Sequence, residues 1–166
     1  MKGYPKWFYL MLCSVLVALF ATGTLLAPTL LDLKLEWDMP WRLASDQRIG
    51  VAALHTLLSF LTLTLIGALW SVHMRSGWKR RSNHHSGLGL IVVMLLLLIT
   101  GIGIFYLGDE DNAMIASLGH MAIGGMLPVI FSYHALAGYQ KARRRIASNV
   151  RGLELENPTP HMASES

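Results

Sequence analysis

The chain has 166 residues, of which 53% are hydrophobic and 14% charged, with a formal charge of +4 and a mean hydropathy of +0.44. That is far more apolar than a soluble domain of this size needs to be, so the composition excludes an ordinary water-soluble enzyme and places the chain in a membrane. The single cysteine, Cys13, excludes an intrachain disulfide framework and a CxxC redox or zinc site, and the basic residues flank apolar runs as topology signals do, which argues against nucleic-acid binding.

Two lysines lie within Met1 to Lys6, and Trp7 to Ala27 follows without a charged residue. A secretory signal peptide also begins this way. This run, however, is longer than an ordinary h-region, opens on the interfacial aromatics Trp7, Phe8 and Tyr9, and reaches Pro28 without an A-x-A cleavage pattern. We read it as a first membrane span ended by Pro28. It holds no histidine and is assigned to packing.

Thr29 to Arg48 changes composition, with Asp32, Glu36, Asp38 and Asp46 against Lys34, Arg42 and Arg48. It reads as an aqueous connector. Leu31, Leu33 and Leu35 alternate with polar residues, a period-two pattern that predicts a short extended edge. Trp37 and Trp41 flank Pro40 at interface level, and the connector is either solvated or a ledge for a partner protein.

The second span, Ile49 to Val72, holds His55 and has His73 at its far end, 18 residues or five helical turns away. Ser59 and Thr62 continue the stripe between them and suit a hydrogen-bonding shell or a helix contact. Met74 to Ser86 is a short cationic loop containing Arg75, Lys79, Arg80, Arg81, His84 and His85. Gly87 to Leu107 is the third span, where Gly101 and Gly103 permit close approach of a helix or a flat ligand. Gly108 to Asn112 is an acidic turn, and the fourth span runs from Ala113 to about Gly138. Residues 146–166 lack apolar periodicity and are expected to form a mobile tail.

The N-terminus, the loop after span two and the C-terminal segment together hold eleven Lys and Arg and three acids, against three and seven in the other two connections. The positive-inside rule then puts both termini in the cytoplasm. The expected fold is an all-α integral membrane bundle over residues 1–145, with four spans running up and down and a cytoplasmic tail behind them.

Ionisable residues inside a bilayer are costly and mark ion pathways, proton relays or bound cofactors. His120 and His134 on the fourth span are 14 residues apart, about 21 Å and nearly four turns, so they share a face. Spans two and four run in the same direction, which matches His55 with His120 toward the outer side and His73 with His134 toward the inner side. Two stacked bis-histidine sites are the ligand sets that two b haems require. Gly124, one turn from His120, leaves room for a macrocycle, and Arg48 outside with Arg75 or Lys79 inside suits propionates. The spacing of 18 against 14 residues leaves about 6 Å unmatched on the inner side, to be absorbed by tilt or by Pro128. Otherwise His84 or His85 replaces His73 as the inner ligand. Zinc is disfavoured, since the two levels are too far apart for one tetrahedral site. The competing reading is a non-redox four-helix membrane protein, an assembly factor or proton-relaying transporter, whose histidines tie helices together.

The runs LHTLLSFLTLTLIGALWSVHMRSGW, SGLGLIVVMLLLLITGIGIFYLGDED and GHMAIGGMLPVIFSYH resemble small four-helix b-type membrane cytochromes, the cytochrome b561-like group with the haem-carrying gamma subunits of formate dehydrogenases. The resemblance covers roughly Arg48 to Arg145, and its most specific element is the histidine pair on the last span. It implies two b haems in a bacterial inner membrane and electron exchange between the quinone pool and a periplasmic redox protein docked on the acidic connections, as the membrane subunit of an oxidoreductase. A quinone is expected near the cationic loop with His84 and His85. This chain departs from those relatives in having no histidine in span one, where they take a ligand, and His73 is the expected replacement.

Overall fold

The computed structural model describes residues 5–70, 75 and 84–156. Among them the chain forms four long helices and no strand: α1 (Lys6–Leu35), α2 (Ser45–Leu69), α3 (His84–Tyr106) and α4 (Glu110–Glu156). Each is long and apolar enough to cross a membrane. Their outer surfaces agree with that setting: Trp7, Trp70, Phe105 and Tyr106 are all exposed, as side chains facing lipid or its interface are.

Helix α1 overruns its apolar span. Pro28 lies inside the helix, and the predicted extended edge at Leu31 to Glu36 is instead its last turns and its cap. Leucine and lysine are good helix formers, so the alternation of Leu31, Leu33 and Leu35 carries no strand preference strong enough to break a helix already propagating. A proline removes one backbone hydrogen bond but does not by itself stop a membrane helix. Glu36 ends it in the left-handed region (φ 52°), and the Trp37 amide donates back to the Leu31 carbonyl at 3.4 Å. The extension is tied on both sides: Arg42 of the connector pairs with Asp32, and Lys34 reaches Glu110 at 3.9 Å.

Helix α4 likewise continues well past the predicted span and into the segment expected to be a mobile tail, which is helical as far as Glu156. No proline interrupts residues 129–156, and Arg143 stacks over the Tyr139 ring with 6.0 Å between guanidinium carbon and centroid. At 47 residues α4 is about 70 Å long, more than twice a hydrocarbon core of about 30 Å.

The helices pack as two hairpins. Helix α1 lies on α2 and α3 on α4, α1 also reaches α4, and α2 has no comparable contact with either α3 or α4. The α1–α2 seam follows a heptad stripe. Phe8, Leu12, Val15, Thr22 and Thr29 are the buried residues of α1, and Thr62, Leu65 and Leu69 those of α2. A hydrogen bond between Thr22 and His55 sets the antiparallel register, so Val15 falls level with Thr62, Leu12 with Leu65, and Phe8 with Leu69.

Leu65→Ala is expected to destabilise this seam by about 2–3 kcal/mol, by cavity formation at a well-packed position. Leu57→Ala, on the exposed face of the same helix, should cost well under about 1 kcal/mol. Thermal unfolding of the detergent-solubilised chain measures both, and equal losses would show that the stripe does not hold the hairpin together.

Candidate functional site

Each histidine described within the spans meets the same arrangement on the helix beside it. His55 of α2 has its Nδ1 2.9 Å from Thr22 Oγ1 of α1, and a methyl group added at Gly23 would stand 3.2 Å from its Cε1. His120 of α4 has its Nδ1 3.1 Å from Thr100 Oγ1 of α3, and a methyl at Gly101 would stand 3.5 Å from its Cε1. His134 of α4 has its Nδ1 3.0 Å from Ser86 Oγ of α3, with the corresponding distance from Gly87 at 3.6 Å. A hydroxyl holds the ring, and the glycine after it lets the ring lie against the helix backbone.

The hydrogen bonds around the threonines bear on which ring nitrogen carries the proton. Thr22 Oγ1 donates to the carbonyls of Ala18 and Leu19 at 3.0 and 2.9 Å, and Thr100 Oγ1 to those of Leu96 and Leu97 at 2.7 and 3.3 Å. With its proton directed at a carbonyl, each hydroxyl is left to accept from the imidazole. This arrangement favours the Nδ1–H tautomer at both histidines, which leaves the lone pair on Nε2. That is the state a metal-bound histidine takes, with the distal N–H anchored by the protein.

His55 and His120 then face one another from the two hairpins, half-buried, with ring centroids 6.2 Å apart and planes at 75°. An iron between two imidazoles sets the centroids about 6 Å apart, since two metal–nitrogen bonds of roughly 2 Å add to two ring radii of roughly 1 Å. Rotation about those bonds leaves the interplanar angle free. Among the described residues no group of three or more His, Cys, Asp or Glu is placed to hold a metal. The residues present fit a b haem.

The other expected residues are distributed as follows. His73 and Lys79 lie outside the described residues. His84 opens α3, and His85 is exposed in its first turn, off the face that Ser86 and Gly87 turn to His134. Gly124 faces α3, where an added methyl would meet Leu97 at 3.8 Å, an ordinary contact. Arg48 is half-buried in the first turn of α2, and Arg75 is exposed. Ser59 and Thr62 do not serve as the shell of His55, because each bonds a carbonyl of its own helix at 2.8 Å.

Thr22, on the span assigned to packing alone, does that work, and Thr100 and Ser86 match it on α3. The signal was present in the sequence as hydroxyl–glycine dipeptides at 22–23, 76–77, 86–87 and 100–101, three of which meet a histidine.

In chains labelled with ¹⁵N at histidine and free of metal, His55 and His120 are expected to give Nδ1-protonated signals. Thr22→Val and Thr100→Val should each displace only the signal of the adjacent ring, whereas Nε2-protonated rings in the unsubstituted chain would contradict the geometry. Gly23→Ala is expected to push the His55 ring by a few tenths of an ångström, while Gly101→Ala, with a looser contact, leaves His120 in place; the same spectra distinguish them. No protein-family model, curated protein or solved structure matches the chain.

Proposed function

We propose that this chain is a dihaem cytochrome b of a bacterial inner membrane, carrying single electrons across the bilayer between the quinone pool and a partner redox protein. The observation that carries the reading is the opposed pair of His55 and His120, each with its Nδ1 held by a hydroxyl of the neighbouring helix. His134 also has a hydroxyl, that of Ser86, on its Nδ1, 14 residues further along α4, about 21 Å away. In this reading His55 and His120 hold the outer haem, His134 holds the inner one, and His73 supplies its second ligand.

A haem bound in this way exchanges one electron at its iron. What the chain contributes is derived from its own residues. The Nδ1–H of each ring keeps its hydrogen bond in both oxidation states, so no proton has to move with the electron. The hydroxyl oxygen beside each ring offsets the positive charge that ligation draws onto the imidazole. Apolar helix faces keep the surroundings at low dielectric. With the eleven basic residues of the N-terminus, cationic loop and C-terminal segment in the cytoplasm, the acidic connections lie in the periplasm. Asp38, Asp46, Asp109 and Asp111 are exposed there and offer a docking surface for a cationic redox partner. A quinone fits the opposite end, beside His84, His85 and the cationic loop.

The purified chain is expected to show a b-type α band in its dithionite-minus-oxidised spectrum and two haems per chain. Replacing His55 or His120 by Ala should remove one haem, and His134→Ala the other. His73→Ala should remove the same haem as His134→Ala, whereas His85→Ala should retain both. Absence of the α band would end the haem reading and leave the histidines as hydrogen-bonded ties between helices in a non-redox membrane protein.

A further inference from the structure

Two turns outward from the Thr22–His55 contact, the same stripe of α1 and α2 reaches Thr29 and Arg48, each about 10 Å further toward the connector. There the elbow between the helices encloses a cavity of about 500 Å³, lined by Thr29, Leu33, Arg42, Leu43, Ser45 and Arg48 among others. Three features of this elbow point to one kind of ligand.

Thr29 is only 5% exposed and its Oγ1 has no hydrogen-bond partner, although Thr22 and Thr24 on the same helix both bond a carbonyl four residues back. A buried hydroxyl left unpaired calls for an explanation, and a ligand that accepts its proton supplies one. Helix α2 begins here without a side-chain cap, so the amides of its first turn have no intrahelical acceptor. The two arginines differ: Arg42 is paired with Asp32, while Arg48, half-buried, has no carboxylate partner among the described residues. Asp46, in the same turn of α2, is exposed and does not line the cavity. Donors and positive charge thus converge on a space with leucines along one side.

We propose that the elbow cavity is an oxyanion site, taking the carboxylate or phosphate at the head of an amphiphile whose apolar body lies along the helices. Arg48 supplies the charge, while Ser45, Thr29 and the first amides of α2 supply hydrogen bonds. Two sources share this chemistry: a propionate of the haem between His55 and His120, which rests on the function proposed above, and the phosphate of a membrane lipid, which does not.

The full-length chain, freed of haem in detergent, is titrated with haem and with haem dimethyl ester, and separately with phosphatidylglycerol under native mass spectrometry. Arg48→Gln removes the charge, and Thr29→Val removes the hydroxyl without changing side-chain shape. For a propionate, Arg48→Gln weakens haem binding by about tenfold or more, Thr29→Val weakens it less, and neither alters binding of the ester. For a lipid phosphate, both variants lose phosphatidylglycerol adducts by a similar factor, and haem and its ester bind alike. Unchanged titrations in both experiments, with helicity intact by circular dichroism, overturn the site. Failure of the unsubstituted chain to bind haem ends the haem reading alone, and the lipid titration then decides the elbow by itself.

Discussion

An imidazole buried among membrane helices has two nitrogens to account for, and the structure turns on how the first is handled. At His55, His120 and His134 alike, Nδ1 is taken by a hydroxyl on the adjacent helix. At Thr22 and Thr100 the hydroxyl also donates to a carbonyl of its own helix, which leaves it an acceptor, and at Gly23 the missing Cβ lets the His55 ring come close. In water this bond would add little, since solvent competes for both partners. Within a bilayer nothing else is available, so it determines both the orientation of the ring and the register of the hairpin that carries it.

The two hairpins repeat the device. Thr22–Gly23 of α1 serves His55 of α2, and Thr100–Gly101 of α3 serves His120 of α4. Each pair joins a helix to the antiparallel helix that follows it. His55 and His120 meet where the halves face one another. The α1–α2 seam below them is apolar, built from Phe8, Leu12, Val15, Leu65 and Leu69, and provides a stable support for one ligand independently of the other hairpin. Helix α2 packs closely on α1 and not on α3 or α4, which makes the hairpins rather than the whole bundle the units of stability.

Spans and costly residues are legible without a structure, because the bilayer imposes length and apolarity on each helix and penalises each histidine. The readings that failed depended on local pattern. Alternating leucines at 31, 33 and 35 suggested an edge strand, but the helix already running through Pro28 kept its hydrogen bonds and absorbed them. Residues 146–166 lacked periodicity to give them a partner, yet α4 carries on to Glu156, with no proline between Pro128 and Pro158 to end it. Ser59 and Thr62 looked suited to His55 by being on its own stripe. Residues one turn apart on one helix stack along the axis, however, and their hydroxyls turn back to their own carbonyls.

The sequence by itself determined four apolar helices, the depth of each histidine, and the 14-residue spacing that places His120 and His134 on one face, because these follow from rise per residue and the thickness of a bilayer. Only the tertiary structure decided that span one, with no histidine of its own, holds His55 through Thr22, and that a glycine beside each hydroxyl admits the ring. The physical reason is that a hydrogen bond between helices depends on their rotation and register, which are fixed by side chains far apart in the chain. Composition and periodicity, which describe one helix at a time, carry no record of either.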